Sequence, residues 1–306
     1  MDTRWKQIST TVRNRAMLAS VRLYFLAARR LAPHAAVRRA AALFCTPHPG
    51  GRGTRPVATD AQRFEVHACG HRLVGYRWGD PQVQPYVLFS HGWASSGARI
   101  AAWVPALREA GFAVIAFDQI AHGASPGRRT TLPLFADVLM SVGARFGPAH
   151  AVIGHSLGGA AAMLALARGL QAGRAILVAP AADPVAAAHR FARTVGLGRA
   201  LCERMMAGFQ SRLGISFDEQ RADRTAPAIG RPALIVHDVG DTVVPWEEGE
   251  RYARHWPDAR LLSTQGLGHS RVLTEPEVVD AAVRFLRGES VGQRVVSTPN
   301  LPLGLA

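Results

Sequence analysis

Gly154-His155-Ser156-Leu157-Gly158 is the segment of this 306-residue chain where residue types and spacing first point to chemistry. The apolar run Ala151-Val152-Ile153 precedes it and an Ala-rich stretch follows, which fits a strand–turn–helix holding the serine on a sharp, strained turn. The glycines remove side chains where that turn is tight. The serine then stands at a helix N-terminus, where free N–H groups favour developing negative charge. A five-residue match is common by chance, and an ordinary Gly-rich turn with a capping serine has the same letters, so the partners matter. A serine hydroxyl is a weak nucleophile without a base. His269, in Gly266-Leu267-Gly268-His269-Ser270, follows the last strand pattern and falls on the same sheet edge as Ser156. The base needs an orienting carboxylate. Asp241 is the first candidate, just after the run Ala233-Leu234-Ile235-Val236-His237; Asp238 lies closer to the strand end and suits bracing of the turn; Asp183, after the preceding strand, is a further rival. Acyl transfer also needs donors for a tetrahedral oxyanion. The Leu157 N–H follows from the motif, and the Trp93 N–H is expected as the second donor, because Gly92 in Ser90-His91-Gly92-Trp93 allows close backbone approach.

These side chains need a scaffold that brings loops from distant strands to one edge. Arg63–Ala68 and Arg72–Trp78 read as a hairpin around Cys69-Gly70-His71. Short apolar runs follow at Tyr86–Ser90, Ala113–Phe117, Ala151–Ile153, Ala175–Ala179, Ala233–His237 and Arg260–Leu262. Helical patterns fall between them, near 98–110, 134–146 and 158–170, with a last helix near 275–287. Apolar strands alternating with helices predict an α/β fold with a mainly parallel sheet covered on both faces.

With these residues in place, the chain resembles a serine hydrolase of the α/β-hydrolase superfamily, of the esterase/lipase-like kind with a short cap. The resemblance rests on the His91-Gly92 loop, Phe117-Asp118 with His122-Gly123-Ala124-Ser125, the Ser156 elbow, Asp241 and His269, and it covers about residues 62–287. The order Ser…Asp…His is that of the family. The resemblance implies a three-layer fold with an eight-stranded, mostly parallel sheet whose first strands are antiparallel. It also implies a Ser156–His269–Asp241 triad, an acyl-enzyme intermediate, and no metal or cofactor. One departure stands out: Ala121 occupies the place before the His-Gly pair where the family carries glycine. The expected reaction is cleavage of a small-molecule carboxylic ester, with lipid-like or medium-chain acyl esters in view. A thioesterase or amidase would use the same constellation. A non-catalytic binding or scaffold protein on this fold is the reading from another class, and it has no need of all three triad residues.

Three segments surround this body: a basic extension and linker over 1–56, the domain over 57–287 with a cap over 181–226, and a tail over 288–306 expected to be loose. Within the cap, Leu201, Met205, Phe209 and Leu213 recur at four-residue steps with Met206 alongside. Met205, Met206 and Phe209 fit either an acyl pocket or the packing that seats the cap. Arg190, Arg193, Arg199 and Arg204 suit solvation better than a bound anion.

The net charge of +14 is concentrated at the N-terminus. Residues 1–56 hold ten arginines and Lys6 against Asp2 alone, a net of +10, which leaves +4 for the other 250 residues. Residues 1–44 read as helical, with a break at Pro33. Met17, Leu18, Val21, Tyr24, Phe25, Ala28 and Leu31 are expected on one face, flanked by Arg15, Arg22 and Arg29. Such a helix fits peripheral contact with an anionic membrane, and equally packing against the body or another subunit. Arg22 interrupts the apolar core that a signal peptide needs, whereas a mitochondrial transit peptide shares this composition. No nucleic-acid-binding motif accompanies the arginines, and no run of ~18 apolar residues suggests a membrane span. Three cysteines without a C-x-x-C pattern suit a reducing compartment. The expected location is the cytoplasm, with membrane association open.

Overall fold

Burial on both faces explains why the sheet strands read as unbroken apolar runs. In the computed structural model, which describes residues 3–47, 60–214 and 216–296, Tyr86–Ser90 and Ala113–Phe117 are buried at every position. Alternate residues feed opposite cores: Leu88, Ile115 and Phe117 one, and Val87, Phe89, Val114 and Ala116 the other.

The chain forms two units, Met1–Cys45 with Pro184–Asp218, and Thr46–Asp183 with Glu219–Ala306. The large unit holds β1 (Gln62–Ala68), β2 (His71–Trp78), β3 (Tyr86–Ser90), β4 (Ala113–Phe117), β5 (Ala149–His155), β6 (Ala172–Val178), β7 (Ala233–Asp238) and β8 (Ala259–Thr264). They form one sheet in the order β1-β2-β4-β3-β5-β6-β7-β8. β2 pairs antiparallel with β1 and β4, and all other pairings are parallel. The β1–β2 turn works because Cys69 and Gly70 both take positive φ.

The small unit contributes α1 (Thr3–Leu31), α2 (Pro33–Phe44), α6 (Pro184–Val195) and α7 (Arg199–Leu213); the large unit contributes α3 (Val104–Glu109), α4 (Leu132–Phe146), α5 (Leu157–Ala167), α8 (Ala222–Thr225), α9 (Trp246–His255), α10 (Gly268–Arg271) and α11 (Pro276–Leu286). Helices α4, α5 and α9 pack on one sheet face, α3 and α11 on the other. The small residues of α5, buried from Gly158 to Ala165, let it lie close to the strands.

Three features differ from the sequence expectation. First, the N-terminal extension and the cap helices are one unit, not two appendages. Their shared core contains Phe25, Ala36 and Ala40 from α1 and α2, and Ala188, Ala192 and Cys202 from α6 and α7. Of the seven residues expected on one face of α1, Phe25 is buried and Val21 and Ala28 pack beside it, while Met17, Leu18, Tyr24 and Leu31 are exposed. Second, the chain returns to the large unit at Glu219, so the cap proper is shorter than 181–226. Third, the start of the tail is docked. Gln293 exchanges two backbone hydrogen bonds with Leu261 at the sheet edge (2.7 and 2.8 Å), and Val291 is buried. The rest of the tail from 297, and residues 48–56 of the linker, lie outside the described residues.

Candidate active site

Strand order brings the relevant loops together. β3 lies beside β5, with Ser90 in register with Gly154, so the loop after β3 meets the turn after β5. This is where successive strands diverge to opposite sides of the sheet, and the crevice at the strand ends is the usual ligand site of such sheets.

Ser156 holds φ 55° and ψ −121°, a left-handed conformation that a non-glycine residue adopts only under constraint. Its neighbours supply the constraint. A Cβ on Gly158 would run into the carbonyl of Ser90, and a Cβ on Gly92 would stand 2.9 Å from the Ser156 Cβ. The two loops are therefore packed backbone to backbone around the serine.

From there a continuous relay runs inward. Ser156 Oγ is 3.0 Å from His269 Nε2, and His269 Nδ1 is 2.7 Å from Asp241 Oδ2. Asp241 Oδ1 accepts from the N–H groups of Val243 and Val244 at 2.8 and 3.0 Å. Burial alone would raise the Asp241 pKa, but hydrogen bonds from His237, His269 and the Val244 N–H hold it well below the usual carboxylate range. The carboxylate thus stays ionised beside the imidazole. Of its rivals, Asp238 accepts from Thr264 Oγ1, Leu267 N–H and Gly240 N–H, at 2.8, 2.9 and 3.0 Å, and so braces the loop that leads to His269. Asp183 pairs with Arg251 at 3.1 Å.

The N–H groups of Trp93 and Leu157 have no protein acceptor among the described residues, which leaves both available beside Ser156. The loop that carries Trp93 is held by rings and by buried polar groups. His91, His122, Trp93 and Phe135 form a cluster with neighbouring centroids 5.1–6.4 Å apart. His91 Nε2 accepts from the Gln119 N–H at 3.0 Å, and its Nδ1 lies 2.7 Å from the Gly92 carbonyl. Burial pushes the His91 pKa down to about 4, so the ring is neutral. Asp118, buried, accepts from Gly97 N–H, Ala124 N–H and Tyr76 OH at 2.7, 2.8 and 2.9 Å, which ties this loop to β2. Ala121 takes φ 66°, so the glycine usual there would be the unstrained choice.

Two histidines went unassigned in the sequence reading. His155 Nε2 lies 3.0 Å from the His269 carbonyl, and the two rings stand 5.0 Å apart. His237 is buried, 3.0 Å from the Val244 carbonyl and 3.5 Å from Asp241 Oδ2, and so backs the carboxylate. Both sit inside motifs that were visible, but their partners are a backbone carbonyl and a loop that only the fold supplies. Met205, Met206 and Phe209, in contrast, are buried in the core of the small unit. Phe209 is flanked by Phe44 and Phe217 at 6.0 and 6.3 Å. The four-residue spacing that suggested a pocket serves helix packing here. Among the described residues, no group of three His, Cys, Asp or Glu side chains is placed to hold a metal ion.

Comparison with known proteins agrees with this architecture. The family model described as serine aminopeptidase, S33 matches residues 81–218, and the one described as TAP-like protein matches residues 177–296. No curated protein matches the sequence significantly. Among solved structures, an esterase from Pyrococcus furiosus superposes with a TM-score of 0.60 at 20% identity, covering 79% of this chain and 97% of the other. A thermophilic esterase from Thermogutta terrifontis gives 0.57 at 22% identity, covering 74% and 98%. A bacterial membrane phospholipase A gives 0.59 at 17% identity, covering 92% and 98%. Sheet order, elbow and matches together make the chain a member of the α/β-hydrolase superfamily.

Proposed function

We propose that this protein is a serine hydrolase that cleaves carboxylic esters, with lipid-like acyl esters as the substrate class. The observation that carries the reading is the unbroken line of hydrogen-bonding distances from Ser156 Oγ through His269 to Asp241. Ser156 Oγ attacks the ester carbonyl while its proton passes to His269 Nε2. Asp241, ionised and held by two backbone N–H groups, stabilises the resulting imidazolium. The negative charge on the carbonyl oxygen is met by the Trp93 and Leu157 N–H groups. Removing one such donor typically costs ~3–4 kcal/mol of transition-state stabilisation. As the tetrahedral species collapses, the C–O bond to the alcohol breaks and His269 returns the proton to the leaving oxygen. Water then attacks the acyl-serine, losing its proton to His269, and the acid leaves as Ser156 regains its hydroxyl. The ester part leans on the similarity to two esterases, and the lipid-like part on the similarity to a membrane phospholipase A.

Covalent labelling by a fluorophosphonate probe, followed by a p-nitrophenyl ester panel of increasing acyl length, tests the reading. Wild type should label at one site, and Ser156→Ala should lose labelling with its fold intact. Equal labelling of the two proteins, or none of either, would remove Ser156 as the nucleophile.

A further inference from the structure

The side of α1 that turns away from the core of the small unit is apolar. Phe25, Val21 and Ala28 fill one side of the helix. At 100° per residue Leu23 stands opposite Phe25 and Leu26 lies on one flank, while Leu31, Tyr24 and Met17 run along the other flank beside Ala28; the five are 70%, 41%, 85%, 46% and 56% exposed. Only Ser20 and Arg30 interrupt this surface between residues 16 and 31, while Arg22 and Arg29 lie along its border with the packed side. A helix on the surface of a protein in water normally turns charged and polar residues outward, and one that is apolar all round is covered by something.

Charge identifies the cover. The small unit carries thirteen arginines and Lys6 against Asp2, Glu203 and Asp218, a net of +11, which leaves +3 for the large unit. A second copy of the chain would bring the same positive charge to the contact. An anionic lipid surface brings the complementary sign together with a hydrocarbon boundary for the leucines. Among the described residues, no helix is long and apolar enough to cross a membrane, so the geometry suited to α1 is an in-plane one, with its arginine stems lying along apolar surface and their heads at the phosphates.

We propose that the exposed face of α1, centred on Leu23 and Leu31, docks in plane on an anionic lipid bilayer. The proposal does not rest on ester hydrolysis, because its test reads binding alone. The full chain is floated with vesicles of phosphatidylcholine containing about a third phosphatidylglycerol, and with vesicles of phosphatidylcholine alone. Two variants are compared: Met17→Gln/Leu23→Gln/Leu31→Gln on the apolar face, and Arg22→Gln/Arg30→Gln, one arginine on its border and one within it. Wild type should float with the anionic vesicles only, and release as salt rises. Each variant should lose binding by about tenfold or more while keeping the wild-type melting temperature. Failure of wild type to float with anionic vesicles, or equal flotation with both kinds, would overturn the proposal. So would a wild-type dimer that the apolar-face variant turns into a monomer, which would assign the face to a second copy.

Discussion

His155, next to Ser156, is held uncharged by its surroundings. Burial, and then the charge of the neighbouring His269 ring, push its pKa down to about 3, so the ring stays neutral. A neutral ring with a hydrogen on Nε2 donates to the His269 carbonyl and fixes the backbone from which the His269 ring projects. An uncharged hydrogen bond contributes ~0.5–1.5 kcal/mol, or roughly two- to tenfold in rate. His155→Leu should therefore lower kcat for a soluble ester by that factor with little change in KM, and His155→Gln, which keeps a donor, should recover part of the loss. Equal kcat in both variants and wild type would leave His155 with a packing role only. At this scale the sequence was informative wherever chain order and strand position decide. Ser156, His269 and Asp241 each follow a strand, and the parallel sheet sends all three to one edge. Asp238 differs from Asp241 by its place at the strand end and Asp183 by following the preceding strand, and each has other partners, Thr264 with Leu267 and Arg251. His155 and His237 were not legible, because what they touch is set by packing across the sheet.

Elements position these residues through backbone contact more than through side chains. Gly158 opens α5 against the carbonyl of Ser90 at the end of β3, and no side chain fits between them. Gly158→Ala should push α5 away from β3 and displace Ser156 and the Trp93 loop together. Overpacking of this kind costs ~1–3 kcal/mol and sometimes more, so urea unfolding should show a lower midpoint, and fluorophosphonate labelling of the folded fraction should slow. A wild-type midpoint would mean that the elbow yields more freely than its packing implies. Strands and helices were legible because each has one periodicity and one set of breakers. Pro33 separates α1 from α2, and Thr131 caps α4 through the Leu134 N–H. The partner of each helix in the small unit was not legible. Period-four spacing marks a face in α1 and α7, but an amphipathic face carries no address, and the Met205–Phe209 face closed on α2 and α6 instead of lining a pocket. The docking of Gln293 on β8 needs only backbone groups, so no side-chain pattern announces it.

Over the whole molecule, buried neutral histidines make stability depend on pH. His91 and His155, both desolvated, take up protons only near pH 4 and 3 in the folded state, against about 6.5 in an unfolded chain. Below pH 6.5 the unfolded state binds more protons, so their contribution is complete above that value and is lost as pH falls toward 4. The slope approaches ~1.4 kcal/mol per pH unit for each ring. Asp118 acts in the opposite sense, because burial raises its pKa, and it offsets part of the loss. Urea midpoints at pH 7, 6 and 5 should decline in that order; a level series would show that the rings gain protons without unfolding. The stem of the inserted segment has a different consequence. The Ala222 N–H donates to the Ala182 carbonyl at 2.9 Å, while Glu248 and Tyr252 of α9 bond Ala182 and Ala181. The departing and returning strands of chain are thus clasped to each other before the insertion begins. The sheet is indifferent to what is threaded through that clasp, since doubling the length of a flexible loop with fixed ends costs only ~0.6 kcal/mol. Residues 184–218 leave and re-enter the large unit at one fixed point, so the segment between can lengthen or shorten while Ser156, Asp241 and His269 stay where they are.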